Sequence, residues 1–323
     1  MKKRHILFGL GALVGGFILF LSFSPGDGAQ ETFLQPDLAQ IPPGKFGEAV
    51  RYGRELMINT ALYIGPEGIN GKYLGNRMNC TNCHQDAGTK PFSFNLMLSH
   101  EQYPQYRARE GKVLTLADRV NNCIERPHNG KPLSPDSREM VALLSYLKWI
   151  NGYAPKDEGA KGVKNLQLTF PARAARPDKG RQLFATHCQV CHGAQGQGKL
   201  RADGVTYVFP PLWGRAAYQR GSSMHRVIKL AQWLKANMPY GKASAEQPFL
   251  SDEEALDIAA FINDDRVHPR PSVHTADYPF AEEKAIDYDE GPFADPFPAT
   301  QHKFGPYRPI INAWKAKGLQ PVY

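Results

Sequence analysis

Five cysteines carry most of the chemistry open to this chain, and four of them fall into one pattern. "CTNCH" spans residues 80–84 and "CQVCH" spans 188–192, each a Cys-x-x-Cys-His motif. That spacing is the attachment signal for c-type haem: two thiols form thioethers to the vinyl groups, and the next histidine takes the iron. A thioredoxin-like pair or a zinc site would leave His84 and His192 unexplained. The motifs therefore predict two covalently bound haem c groups, on Cys80 and Cys83 and on Cys188 and Cys191, with His84 and His192 as iron ligands. The fifth cysteine, Cys123 in "RVNNCIERPHNG", has no disulfide partner left within the chain.

The second axial position of each iron separates electron transfer from chemistry. In the C-terminal half, Met238 of "ANMPYGKAS" lies 46 residues past His192, and Pro239 pushes it out of helical geometry. It is the expected ligand of the second iron, ahead of Met224 and His225. In the N-terminal half the candidates are Met97, His100, Cys123 and His128. Cys123 stands 39 residues past His84, close to the offset of Met238 in its own half. It is read as a thiolate ligand of the first iron. An inert buried thiol, an intermolecular disulfide and histidine ligation are the alternatives. "TLADRVNNC" can form a short helix capped at Thr115, which sets Arg119 one turn before Cys123. With Arg107, Arg109 and Arg126 nearby, this guanidinium cluster suits an anionic sulfur compound and a lowered thiol pKa.

These residues need small helical frames. "PDKGRQLFATH" before the second motif, and "FGEAVRYGRELMINT" before the first, have helical spacing with Gly180 and Gly53 where another helix could cross. A further helix follows each motif. "SPDSREMVALLSYLKWI" is expected to start with Ser134 as N-cap, and "SDEEALDIAAFI" with a Ser251–Glu254 capping box. This order resembles class I cytochrome c. It implies a mainly α chain with two such domains, at 31–160 and 161–268, long irregular loops, and a Pro- and aromatic-rich extension at 269–323 lying as an irregular strap.

The bulk properties agree with an exported redox protein. "MKKRH" precedes the 18-residue apolar run Ile6–Phe23, so residues 1–30 read as a signal peptide or membrane anchor. No clean small-x-small cleavage site follows, which favours the anchor. Either outcome places the remainder in the periplasm. The net charge of +8 favours anionic partners in general, but basic residues do not interleave with aromatics as nucleic-acid binding would require.

Taken together, the two motifs, "RVNNCIERPHNGKPL" between them, "NMPYG", and the tail "DPFP…QHKFGPYRPI" resemble the thiosulfate dehydrogenases, periplasmic dihaem cytochromes that join two thiosulfates into tetrathionate. The resemblance implies catalysis at Cys123 on the first haem and electron exit through the His192/Met238 haem. It also implies thiosulfate binding by Arg109 and Arg119, and a small soluble cytochrome or a membrane redox partner as acceptor. Some relatives carry a lysine beside the methionine of the second haem; here that position is Asn237. A dihaem electron carrier and a dihaem peroxidase are the rival readings. The carrier would need neither Cys123 nor the arginines.

Overall fold

The computed structural model describes residues 33–157, 159–272 and 277–323. The apolar run at 6–23 lies outside the described residues. Among the described residues, no helix is long and apolar enough to cross a membrane.

Among the described residues, eleven α-helices carry the chain. The N-terminal half holds α1 (Gly44–Ile58), α2 (Thr60–Ile64), α3 (Ser99–Gln102), α4 (Leu116–Glu125) and α5 (Arg138–Asn151). A small antiparallel hairpin, β1 (Gln105–Arg107) with β2 (Lys112–Leu114), leads into α4. The second half holds α6 (Pro177–His187), α7 (Gln189–His192), α8 (Val227–Asn237) and α9 (Asp252–Ile262), with a two-stranded pair of β3 (Lys199–Leu200) and β4 (Tyr207–Phe209). Two helices close the chain, α10 (Ala299–Phe304) and α11 (Tyr307–Ala316).

Each half is closed by one helix crossing, and in each a glycine makes it possible. A Cβ on Gly53 of α1 would lie 2.0 Å from the carbonyl oxygen of Ala142 in α5. A Cβ on Gly180 of α6 would lie 1.9 Å from the carbonyl oxygen of Asp257 in α9. Real side chains cannot approach backbone so closely, so the two sequence-predicted glycines are the contact points themselves. Around the first crossing Val50, Leu56, Met140, Leu143, Tyr146 and Ile150 form one core. Around the second, Phe184, Val227, Leu230, Ile258, Ala259 and Phe261 form another.

Two local expectations change. The cap of α5 is Ser137, whose side chain accepts from the Met140 amide, not Ser134. The carbonyl of Ser134 instead accepts from the Ser137 amide and hydroxyl, so Ser134-Pro135-Asp136-Ser137 is a turn before the helix. Thr115 and Ser251 do cap α4 and α9, each with a reciprocal capping box. The C-terminal extension is more regular than its composition suggests. Tyr307, Ile310 and Trp314 line one face of α11 and complete the core of the second half.

The halves are sewn together along α8. Its Trp233 Nε1 donates to the Cys83 carbonyl at 3.0 Å, and its Asn237 Nδ2 donates to the Phe92 carbonyl at 3.0 Å. Met78, Cys83 and Phe94 of the first half pack against the core of the second. A second seam holds the end of α4: Gln219 donates to the Glu125 carbonyl at 2.6 Å, and Asn129 to the Ala217 carbonyl at 2.8 Å.

Candidate haem-binding and active site

The two motifs place their histidines in the same way. His84 Nδ1 meets the Phe94 carbonyl at 2.6 Å, and His192 Nδ1 meets the Pro210 carbonyl at 2.9 Å. A carbonyl at Nδ1 fixes the tautomer with the proton there and leaves Nε2 as a metal-ligating lone pair. Burial lowers the His192 pKa, which keeps the imidazole neutral and able to ligate.

A cavity of about 510 Å³ opens beside the first motif, lined by Cys80, Cys83, His84, Cys123, His128 and Met224 among others. It draws walls from both halves, since Met224, Arg226 and Lys229 reach it from the second. Four buried donors around it have no hydrogen-bond partner among the described residues: Asn79 Nδ2, His128 Nδ1, Arg109 Nη2 and Arg126 Nε. A large cavity with two motif cysteines, an oriented imidazole and unpartnered cationic donors fits a haem and an anion beside it.

Cys123 lines this cavity from α4, in the position its helix predicts. Burial pushes its thiol up, but the Arg119 guanidinium, hydrogen bonding and charge from His84, and Arg126 together bring it down to about 6. The motif cysteines behave oppositely. Burial raises Cys80 to about 11 and Cys83 to about 12. The fifth cysteine is thus the one set up as a thiolate on this wall, and it shares the space with His84.

The other sequence candidates separate cleanly. Met97 is fully buried in the first core, and His100 is exposed on α3; neither lines the cavity. His128 does line it, and burial holds it neutral by lowering its pKa to about 4. In the second half Met224 belongs to the second core and lines the first cavity. His225 is taken up by Asp265 at 2.9 Å and Lys303 at 2.9 Å. Met238 sits at the C-cap of α8 in extended backbone, packed against the second core.

The arginines are not equivalent. Arg126 pairs with Glu110 at 2.7 Å and Asp277 at 2.6 Å. Arg109 donates to the Gly221 carbonyl, lies 3.7 Å from Asp277, and stacks over Tyr278 and Tyr288, leaving Nη2 unpartnered. Arg119 makes no ion pair among the described residues, and the Cys123 charge raises its pKa most. Lys229, which sequence reasoning missed, also ends in this cavity.

Residues 71–150 match the SoxA/TsdA cytochrome c domain, and residues 177–264 match cytochrome c. The chain is 37% identical to the thiosulfate dehydrogenase of Stutzerimonas stutzeri, over 78% of this chain and 77% of that protein. It belongs to the thiosulfate dehydrogenase family. The family member from Allochromatium vinosum is 34% identical over 73% of this chain and 83% of its own length. The solved thiosulfate dehydrogenase TsdBA of Marichromatium purpuratum superposes with a TM-score of 0.66 at 34% identity, covering 73% of this chain. This chain spans half the length of that solved chain. As a family member with two cytochrome c domains, the protein is an oxidoreductase carrying two covalently bound c-type haems.

Proposed function

We propose that this chain oxidises two thiosulfates to tetrathionate at Cys123, in the periplasm, and passes the electrons to a small soluble cytochrome or a membrane redox partner. The observation that carries this reading is a thiolate-prone Cys123 facing His84 in a cavity walled by guanidinium groups. An electron carrier without its own chemistry has no use for that arrangement.

The residues divide the work. Cys80 and Cys83 would hold the first haem, with His84 and Cys123 as its iron ligands; Cys188 and Cys191 would hold the second, with His192 and Met238. Bound haem supplies one-electron redox chemistry, and two haems can accept the two electrons of one turnover. Arg119 and the free Nη2 of Arg109 draw the first thiosulfate dianion toward Cys123. The Cys123 thiolate and the sulfane sulfur form an S–S bond with loss of two electrons, giving Cys–S–S–SO₃⁻ from Cys–S⁻ and S₂O₃²⁻. A second S₂O₃²⁻ attacks the bound sulfane sulfur. A new S–S bond forms, the bond to Cys123 breaks, and tetrathionate leaves with the thiolate restored. Both steps are reversible in principle, so the same residues serve tetrathionate reduction.

The test is anaerobic thiosulfate-dependent reduction of the purified holoprotein, with tetrathionate measured as product. Low-temperature electron paramagnetic resonance should show a low-spin His/thiolate haem that Cys123→Ser abolishes. A Cys123→Ser protein with both haems and full turnover would sink the reading.

A further inference from the structure

The reaction needs a second dianion next to the first, and of the four cavity cations the scheme has not used, two make no ion pair among the described residues. We propose that Lys229 and Arg107 form a second thiosulfate subsite, holding the anion that attacks the Cys123 adduct. This rests on the reading that Cys123 takes the first thiosulfate.

Both residues line the cavity that contains Cys123, Lys229 from α8 of the second half and Arg107 from β1 of the first. Neither side chain makes a hydrogen bond or an ion pair among the described residues. The neighbouring cations differ in this respect. Arg126 is held by Glu110 and Asp277, and Arg226 by Asp287 through Nε at 2.7 Å. Arg109 is largely committed to Gly221 and Asp277, and Arg119 stands with Cys123.

Position is fixed as well as charge. Lys229 lies four residues before Trp233 and eight before Asn237, the two side chains by which α8 bonds to the first half. The three share one helix face. That face turns Lys229 to the cavity that Arg107 lines from the first half, and the two positive charges repel. The nearest carboxylates are committed elsewhere, Asp287 to Arg226 and Glu110 to Arg126, so two like charges brought together across a seam without an ion pair of their own are a receptor for an anion. Arg107 and Lys229 line the same cavity as Arg109, Arg119 and Cys123, so the second pair of cations shares its space with the first.

The chemistry suits a dianion held apart from the thiol. Sulfonate oxygens on Lys229 and Arg107 would leave the sulfane sulfur free to attack. In that step its lone pair forms the S–S bond and the Cys123–sulfur pair leaves as thiolate, with no net oxidation. The carboxylates of the first haem are the competing occupants, and the test separates the two.

In the holoprotein, Lys229→Gln and Arg107→Gln are each expected to raise the thiosulfate KM roughly tenfold, the loss of one charge-assisted contact. Lys229→Arg should restore it. Formation of the first adduct, read as intact mass after a single anaerobic exposure, should stay at the wild-type level, as should the midpoint potential of the first haem. An unchanged KM overturns the proposal, and a shifted potential with unchanged KM assigns the two cations to haem carboxylates instead. Loss of the first adduct in these variants also overturns it, by placing the cations at the first subsite. Absence of the adduct in the wild-type protein would instead fail the underlying reading of Cys123.

Discussion

The indole Nε1–H of Trp233 donates to the main-chain carbonyl of Cys83 at 3.0 Å, joining the helix that ends at Met238 to the first haem motif. Trp233→Phe keeps the ring and removes the donor, leaving a carbonyl without its partner at the seam. The expected loss is about 1–3 kcal/mol. It should appear as a lower Tm of the holoprotein, with both haems still attached.

Arg119 is the cation most strongly coupled to Cys123, one helical turn away on α4. Replacing it with Gln should lower kcat/KM for thiosulfate by roughly 100-fold, the order expected for removing one fixed charge at a reacting anion. Steady-state kinetics on the intact holoprotein measure this. A full retention of kcat/KM would place substrate binding elsewhere.

Gly53→Ala and Gly180→Ala each put a methyl group into backbone carbonyl density, 2.0 and 1.9 Å from the nearest oxygen. Overpacking of this kind costs roughly 1–3 kcal/mol and more where backbone must move. Thermal unfolding of each variant should show a loss at the upper end of that range. Ala at Gly204, which meets nothing within 4 Å, serves as the size control, although its positive φ adds a smaller strain.

Burial lowers the Lys229 pKa, and Arg226 and Arg107 add to the effect against the pull of Asp287, bringing it to about 8. The ammonium is therefore charged at neutral pH and loses its proton near pH 8 instead of above 10. Glu283 lines the same cavity. The thiosulfate KM should rise between pH 7 and pH 9, and Lys229→Arg should flatten that rise. A rise that persists unchanged in Lys229→Arg points to another group.

Much of this architecture is legible in local sequence because its causes are local. Two CxxCH motifs, the crossing glycines, and the Thr115 and Ser251 caps depend on residues a few positions apart. So does the offset of Arg119 from Cys123. What stayed hidden is non-local. Arg109 is engaged by Gly221 and Asp277, over a hundred residues away, and no spacing rule reports that. Lys229 faces the first cavity only because α8 docks across the seam. The α11 face was readable from the period of Tyr307, Ile310 and Trp314, but the prolines around it masked the signal. At α5, Pro135 made Ser134 look like a cap, although the backbone turns once more before the helix begins.

Asp277 stands where the C-terminal extension returns to the first half, with one oxygen 2.6 Å from Arg126 and the other 3.7 Å from Arg109. Two guanidinium groups on the cavity wall therefore have their field partly cancelled by a segment outside both cytochrome domains. The extension acts as an internal counter-charge to the cavity's potential. The positive charge this pocket would present to a dianion is set in part by a carboxylate outside its lining.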